Sequence, residues 1–268
     1  MSRRTTAAIV VVVALLGSAA VGCRDSAQRR AAAERAREWT ALRRDKQAID
    51  AERAELHRLR GRLAAAPIEP DGTPAVAADA ALSHQVAERE RRLTTRSSSL
   101  GERLVRYLAG FERRGGGEPG DAEEPGWREA VRLKSDEDIA VAQEWVDRGG
   151  DYRHAIEILE TQRALDEGYA RLEEALVRAR EMRFVTPVRF ARVQPGMSPI
   201  DVRAALGPVN LREVLRRPAE RLEAWYYPKR DGGKAAVYFR YEEARRGYVV
   251  YQAELSAAVA RPVAAPAS

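Results

Sequence analysis

The sequence holds one cysteine, Cys23, and three histidines, His57, His84 and His154. A thiolate can serve as nucleophile, metal ligand or acylation site, and an imidazole as general base or ligand. Spacing decides among these roles. The histidines lie far apart, each within a predicted helix, and none stands near the cysteine. Acidic pairs such as Glu242-Glu243 sit beside basic residues at predicted turns, the setting of a solvated surface. Gly115-Gly116-Gly117 follows Arg113-Arg114 rather than a strand and lacks the downstream Lys-Ser/Thr of a phosphate-binding loop. No catalytic set, cofactor site or metal site is expected, and the chain does not read as an enzyme. Two features remain. One is Cys23; the other is an aromatic group whose members Trp225, Tyr226, Tyr227, Tyr248 and Tyr251 form a candidate partner interface.

Cys23 stands directly behind an apolar run. Arg3 and Arg4 come first, then Ala7 to Leu16, then the small residues Gly17, Ser18, Ala19 and Ala20. A basic start, an apolar core and a small-residue exit make a secretory signal peptide, residues 1–22. The stretch Ala20-Val21-Gly22-Cys23 resembles the lipobox of bacterial lipoproteins, with Ala20 where leucine is usual. That resemblance implies removal of the first 22 residues and acylation of the Cys23 thiol. Each buried methylene of such chains contributes about 0.8 kcal/mol, and two or more chains hold a protein stably at a membrane. An uncleaved anchor is the other reading, although Ala7 to Val21 is shorter than the roughly 20 residues a spanning helix needs. Arg24 after the cysteine favours the outer membrane, facing the periplasm, over inner-membrane retention. With Cys23 acylated, no disulfide or free thiol remains.

The 268 residues carry a net charge of +6, with 32% charged and only 6% aromatic residues. So few aromatics argue against one large core and for a charged helical part followed by a small folded part. The positive charge suits lipid headgroups, anionic envelope polymers or an acidic partner, and nucleic acid is not expected outside the cytoplasm.

Residues 23–113 read as a lipid-anchored helical hairpin or coiled coil. Leu42, Ile49, Leu56 and Leu63 recur every seven residues, the prolines from Pro67 to Pro74 break the helix, and Val86, Leu93, Leu100 and Tyr107 repeat the spacing. The second column of this seam is Trp39, Lys46, Arg53 and Arg60, so only one column is fully apolar. Pairing within one chain, self-association between chains, or a partner helix would each satisfy it. Residues 114–126 read as a flexible linker rich in glycine and proline. In the helical segment 127–183, Ser135 ahead of Asp136-Glu137-Asp138 predicts a helix start, and Gly149-Gly150 a stop. Gly150-Asp151-Tyr152 with Ala155 and Leu159 resembles the turn of a tetratricopeptide repeat over barely one unit.

Residues 184–255 change to a strand-rich pattern. Val188 to Val193 alternates as a half-buried strand or an extended entry segment would. Ser198-Pro199-Ile200-Asp201 predicts a capping box, and Gly207-Pro208 ends that helix with a left-handed glycine. Strands are predicted over Leu222–Pro228, Ala235–Tyr241 and Tyr248–Ala253, with a hairpin signal at Asp231-Gly232-Gly233. Alternation sends about half of the aromatics inward. Val193, Gly196-Met197-Ser198, Val202, Leu206-Gly207 and Trp225-Tyr226-Tyr227, in that order, resemble the SmpA/OmlA family, which includes the small lipoprotein of the outer-membrane β-barrel assembly machinery. The resemblance implies short helices on a three-stranded antiparallel sheet. The expected class is therefore α+β, with a disordered tail at 256–268. The expected role is a lipid-anchored envelope scaffold or assembly factor with a protein partner. A peptidoglycan- or sugar-binding lipoprotein and a structural spacer without a ligand are the alternatives.

Overall fold

The computed structural model of the chain describes residues 6–69, 71, 73, 77–112 and 126–257, with side chains from residue 29 onward except at 77, 78 and 112. The side chains of the predicted signal peptide and of Cys23, the linker 114–125 and the tail from 258 lie outside the described residues. The fold is α+β. It divides into two units, Met1–Ala48 and Ile49–Ser268. The first is the amino-terminal length of helix α1 (Thr6–Ala64); the second holds the remainder of α1 and every other element.

Pro67 follows the end of α1, as a residue that cannot continue a helix should. From Ile49 onward α1 runs antiparallel to α2 (Ala77–Glu112): Arg53 meets Ser97 at 3.0 Å and Arg60 meets Glu90 at 2.8 Å. Ile49 and Leu56, and Val86, Leu93 and Leu100, are buried at the seven-residue spacing. Helix α3 (Trp127–Gly149) packs along α2, and α4 (Tyr152–Arg163) and α5 (Ala170–Met182) complete the helical module. Ala142, Ile156, Leu159, Leu172 and Leu176 form its core.

Helix α3 begins at Trp127, eight residues ahead of the expected cap at Ser135. The acidic run lies inside the helix because Ser135, Asp136 and Glu137 find tertiary partners there and Asp138 a partner one turn back. The Ser135 hydroxyl bonds Asp166 at 2.6 Å and accepts from Gln162 at 2.9 Å. Asp136 takes Arg171 at 2.7 Å, Glu137 takes Arg53 at 2.6 Å, and Asp138 takes Lys134. Burial raises the Asp138 pKa, against the opposing pull of Lys134.

The sheet has four strands, one more than expected: β1 (Val214–Arg217), β2 (Leu222–Pro228), β3 (Lys234–Glu242) and β4 (Gly247–Ala257), antiparallel in sequence order. Strand β1 is a four-residue edge ending at Pro218, too short to show a period. Where a half-buried strand or an extended entry segment is expected at Val188–Val193, the chain forms the one-turn helix α6 (Pro187–Phe190) and the turn after it. Thr186 caps it and Pro187 takes its first position. Phe190 and Val193 are buried while Val188 is 74% exposed, a spacing of three rather than two. Helix α7 (Pro199–Leu206) carries the expected capping box between Ser198 and Asp201. Both helices cover one face of the sheet, where Val202, Leu206, Trp225, Val237 and Phe239 form the core.

Candidate partner interface

Strand alternation divides the aromatics between the two faces of the sheet. Trp225, Tyr227 and Tyr248 point under α6 and α7 and are 5 to 6% exposed. Trp225 packs on Phe239 with ring centres 4.7 Å apart and donates its indole N–H to Glu223; Tyr248 meets Tyr241 edge-on at 5.6 Å. Burial pushes the Tyr227 phenol well above its ordinary value. Of the five aromatics expected at a partner face, these three belong to the core.

Tyr226 and Tyr251 lie on the opposite face, and the structure adds Tyr238 between them. Register explains the grouping. Ala224 pairs with Tyr238 and Tyr226 with Ala236, so the two tyrosines are diagonal neighbours across β2 and β3. Their rings meet edge-on at 6.5 Å. On the other side Tyr238 pairs with Gln252 while Phe239 pairs with Val250, leaving Tyr251 as the extra residue of a β-bulge. Its ring lies 6.2 Å from Tyr238. Burial, then Glu254 and a hydrogen bond with Tyr226, raise the Tyr238 pKa. Ala224 and Ala236 between the rings are buried, Leu215 on β1 is 41% exposed and Tyr251 38% exposed. The result is an aromatic patch of three adjacent tyrosines with an exposed leucine nearby, on the face that α6 and α7 leave uncovered.

The sheet module is fixed to the helical module by close backbone contacts. Gly150 ends α3 at φ +60°, and a Cβ there would fall 2.3 Å from the Val209 backbone. Gly207 ends α7 at φ +91° and ψ 171°, a positive-φ extended cap rather than the expected left-handed one. A Cβ on it would lie 2.5 Å from the Tyr152 hydroxyl. Burial between the modules pushes that phenol up to about 12. Arg203 of α7 donates to the Asp147 carbonyl near the end of α3 at 2.8 Å. Arg189 donates to Glu181, Phe184 and Leu206 carbonyls, so one guanidinium serves the carboxyl ends of both α5 and α7. The α1–α2 loop joins in: Ile68 accepts from the Tyr241 hydroxyl at 2.9 Å and donates its N–H to the Arg246 carbonyl at 3.1 Å. Thus the residues that suggested a repeat turn, Gly150-Asp151-Tyr152, pack against the sheet module's Gly207 and Val209.

A second polar cluster ties the hairpin to α3. Arg53 bonds both oxygens of Glu137 at 2.6 and 2.8 Å and Glu144 at 2.6 Å, with Ser97 of α2 alongside. Glu137 is 1% exposed and the Arg53 side chain 13%. Burial alone would lower the Arg53 pKa, yet the two carboxylates outweigh it and hold the guanidinium above its ordinary value. Arg53, one of three basic residues in the second column of the seam, is thus turned towards carboxylates on α3.

The histidines are not brought together. His57 and His84 are exposed on α1 and α2, and His154 stacks edge-on against Trp145 at 4.5 Å beside Glu157. Glu242 pairs with Arg245 in the β3–β4 turn, and Glu243 with Arg221 from the connection between β1 and β2. Among the described residues there is no His/Cys/Asp/Glu group able to hold a metal ion, and no helix long and apolar enough to cross a membrane. No protein-family model, no curated protein and no solved structure matches this chain.

Proposed function

We propose that this chain is a lipid-anchored scaffold or assembly factor of a bacterial outer membrane, held through acylated Cys23 and facing the periplasm. In this reading it binds an envelope protein through the outer face of its sheet. The observation that carries it is the trio Tyr226, Tyr238 and Tyr251. None of the three enters the core beneath α6 and α7, and Tyr251 is 38% exposed. Tyrosine offers a large rigid contact surface with a polar tip, which is why it is enriched at protein interfaces. The close junction around Gly150 and Gly207 supports a rigid presentation of that face. The signal-like stretch ahead of Cys23 and the resemblance of residues 184–255 to the SmpA/OmlA family support the location and the kind of partner.

A sugar-binding reading has one observation in its favour: Gln252, Glu254 and Arg240 border the tyrosines and offer hydrogen bonds beside stacking rings. One experiment separates the two. The mature protein and its Tyr226→Ser/Tyr251→Ser variant are used to recover partners from envelope extracts and to sediment with purified cell wall. Recovery of barrel-assembly components that the variant loses supports the scaffold. Cell-wall sedimentation without those components, lost in the variant, supports sugar binding. The anchor is tested by fractionating Cys23→Ala; if it stays membrane-bound and keeps its first 22 residues, the lipoprotein reading fails.

A further inference from the structure

The helical module carries a partly open recess that its own side chains do not fill. A cavity of about 190 Å³ lies between α3, α4 and α5. Ala142 and Val146 form one wall, Ala155 and Leu159 another, and Ala175 and Met182 the third. Pro208, from the sheet module, is also part of the lining. Four of the lining residues are alanines, Ala142, Ala155, Ala175 and Ala179, whose short side chains leave the space open. An apolar cavity of about 150 Å³ is already enough to take up benzene. This one therefore has room for one aromatic ring or one branched alkyl group.

Its lining includes one cation. Helix α5 carries three arginines: Arg171 pairs with Asp136 at 2.7 Å and Arg180 with Glu160 at 2.6 Å. The third, Arg178, is exposed, lines the cavity, and has no ion pair or hydrogen bond among the described residues. The neighbouring polar residue Gln143 is already engaged with Asp147 at 2.8 Å. An apolar recess beside an unpaired guanidinium is complementary to an apolar group that carries a carboxylate.

We propose that this cavity is a binding site for a small amphiphilic monoanion, with one ring or branched alkyl group in the recess and its carboxylate on Arg178. The same chemistry occurs in a free aryl or branched-chain acid and in the carboxy-terminal residue of a peptide. Because Pro208 contributes to the lining, a bound ligand touches both modules.

The test uses the full chain, with calorimetry and methyl NMR. The probes are phenylacetate, phenylacetamide, and Gly-Gly-Phe with a free or an amidated carboxyl end. Phenylacetate is expected to bind with a Kd on the order of 1 mM or tighter. It should shift methyl resonances of Val146, Leu159 and Met182. The acid should bind about threefold to fivefold more tightly than the amide, the range of an exposed ion pair. Arg178→Gln should abolish that preference and leave amide binding unchanged. Ala175→Leu fills the recess from a half-exposed position and should abolish binding of both. If the free-acid peptide binds more tightly than phenylacetate, the source is a peptide end; if it binds more weakly, it is a free acid. Equal affinity of acid and amide, an acid preference that survives Arg178→Gln, or methyl shifts outside the cavity would each overturn the proposal. The methyl map keeps the test decisive even where Ala175→Leu fails to fold.

Discussion

Removing the Arg53 guanidinium should be among the most damaging single changes available to this protein. Arg53→Ala takes the bidentate cation from Glu137, which is 1% exposed, and deprives Glu144 of its closer partner. Breaking a buried pair from one side costs about 3–5 kcal/mol, because the remaining charge keeps its desolvation penalty and loses its bidentate partner. For a cooperative unit of about 200 residues, each kcal/mol moves Tm by roughly 2–4 °C, so the expected drop is about 6–20 °C. Urea unfolding followed by circular dichroism should show a lower midpoint at an unchanged slope. The companion variant Arg53→Met/Glu137→Met replaces both charges with apolar groups of similar length. Glu144 then keeps Arg148, which already lies 3.2 Å away. That double variant should return to within about 1 kcal/mol of the parent, since a buried pair is worth little more than the apolar groups that could replace it. A loss below about 1 kcal/mol for Arg53→Ala, or a double variant weaker than the single, would refute the reasoning.

Two further changes test the junction and the α7 cap. Gly207→Ala meets both a positive φ and the Tyr152 oxygen at 2.5 Å, and should cost about 2–4 kcal/mol; Tyr152→Phe in the same chain removes that oxygen and should restore part of the loss, measured as a rise in Tm. Ser198→Ala should cost about 1 kcal/mol by urea titration. Bonds from Ser198 hold the Asp201 carboxyl below its ordinary value. A depressed carboxyl stabilises the fold above its unfolded pKa and loses that contribution as pH falls through the folded one. The difference between parent and Ser198→Ala should therefore be full at neutral pH and shrink below about pH 4; a difference that is constant down to pH 2 would contradict it.

What could be read from the sequence was what neighbouring residues decide among themselves. The capping box at Ser198 and Asp201, the stop at Gly149-Gly150, and the turn at Asp231-Gly232-Gly233 are each closed within a few residues. Arg53 is the opposite case. In the heptad pattern it looked like a flaw in the seam, because its partners Glu137 and Glu144 lie 84 and 91 residues further on. Ser135 misleads for the same reason: an acidic run after serine is a good helix start locally, yet Asp166, Gln162, Arg171 and Arg53 hold those residues inside a longer helix. The alternation at Val188–Val193 suggested a strand, while Thr186-Pro187, the better local signal, marked a helix start. For the tyrosines, alternation foretold that only some would face outward. Grouping Tyr238 with Tyr226 and Tyr251 needed the register and the bulge, which only the paired strands reveal.

The polar and glycine positions that composition alone does not require fall at boundaries between elements. Arg53 with its carboxylates sits where the hairpin meets α3, Gly150 and Gly207 where the helical module meets the sheet, and Arg189 and Arg203 bridge helix ends across that boundary. Apolar residues could fill such boundaries with equal stability, but they would tolerate sliding, whereas a bidentate pair or a glycine against a carbonyl fits one alignment. The arrangement therefore fixes orientation more than it adds stability. A fixed orientation matters most to a protein that holds a surface in one place, and the tyrosine trio of β2, β3 and β4 is the surface that this junction orients. If the trio instead formed part of a spacer with no ligand, loosening the junction by Gly207→Ala would lower Tm without affecting any binding. Under the scaffold reading, partner capture should weaken at temperatures where the variant is still folded.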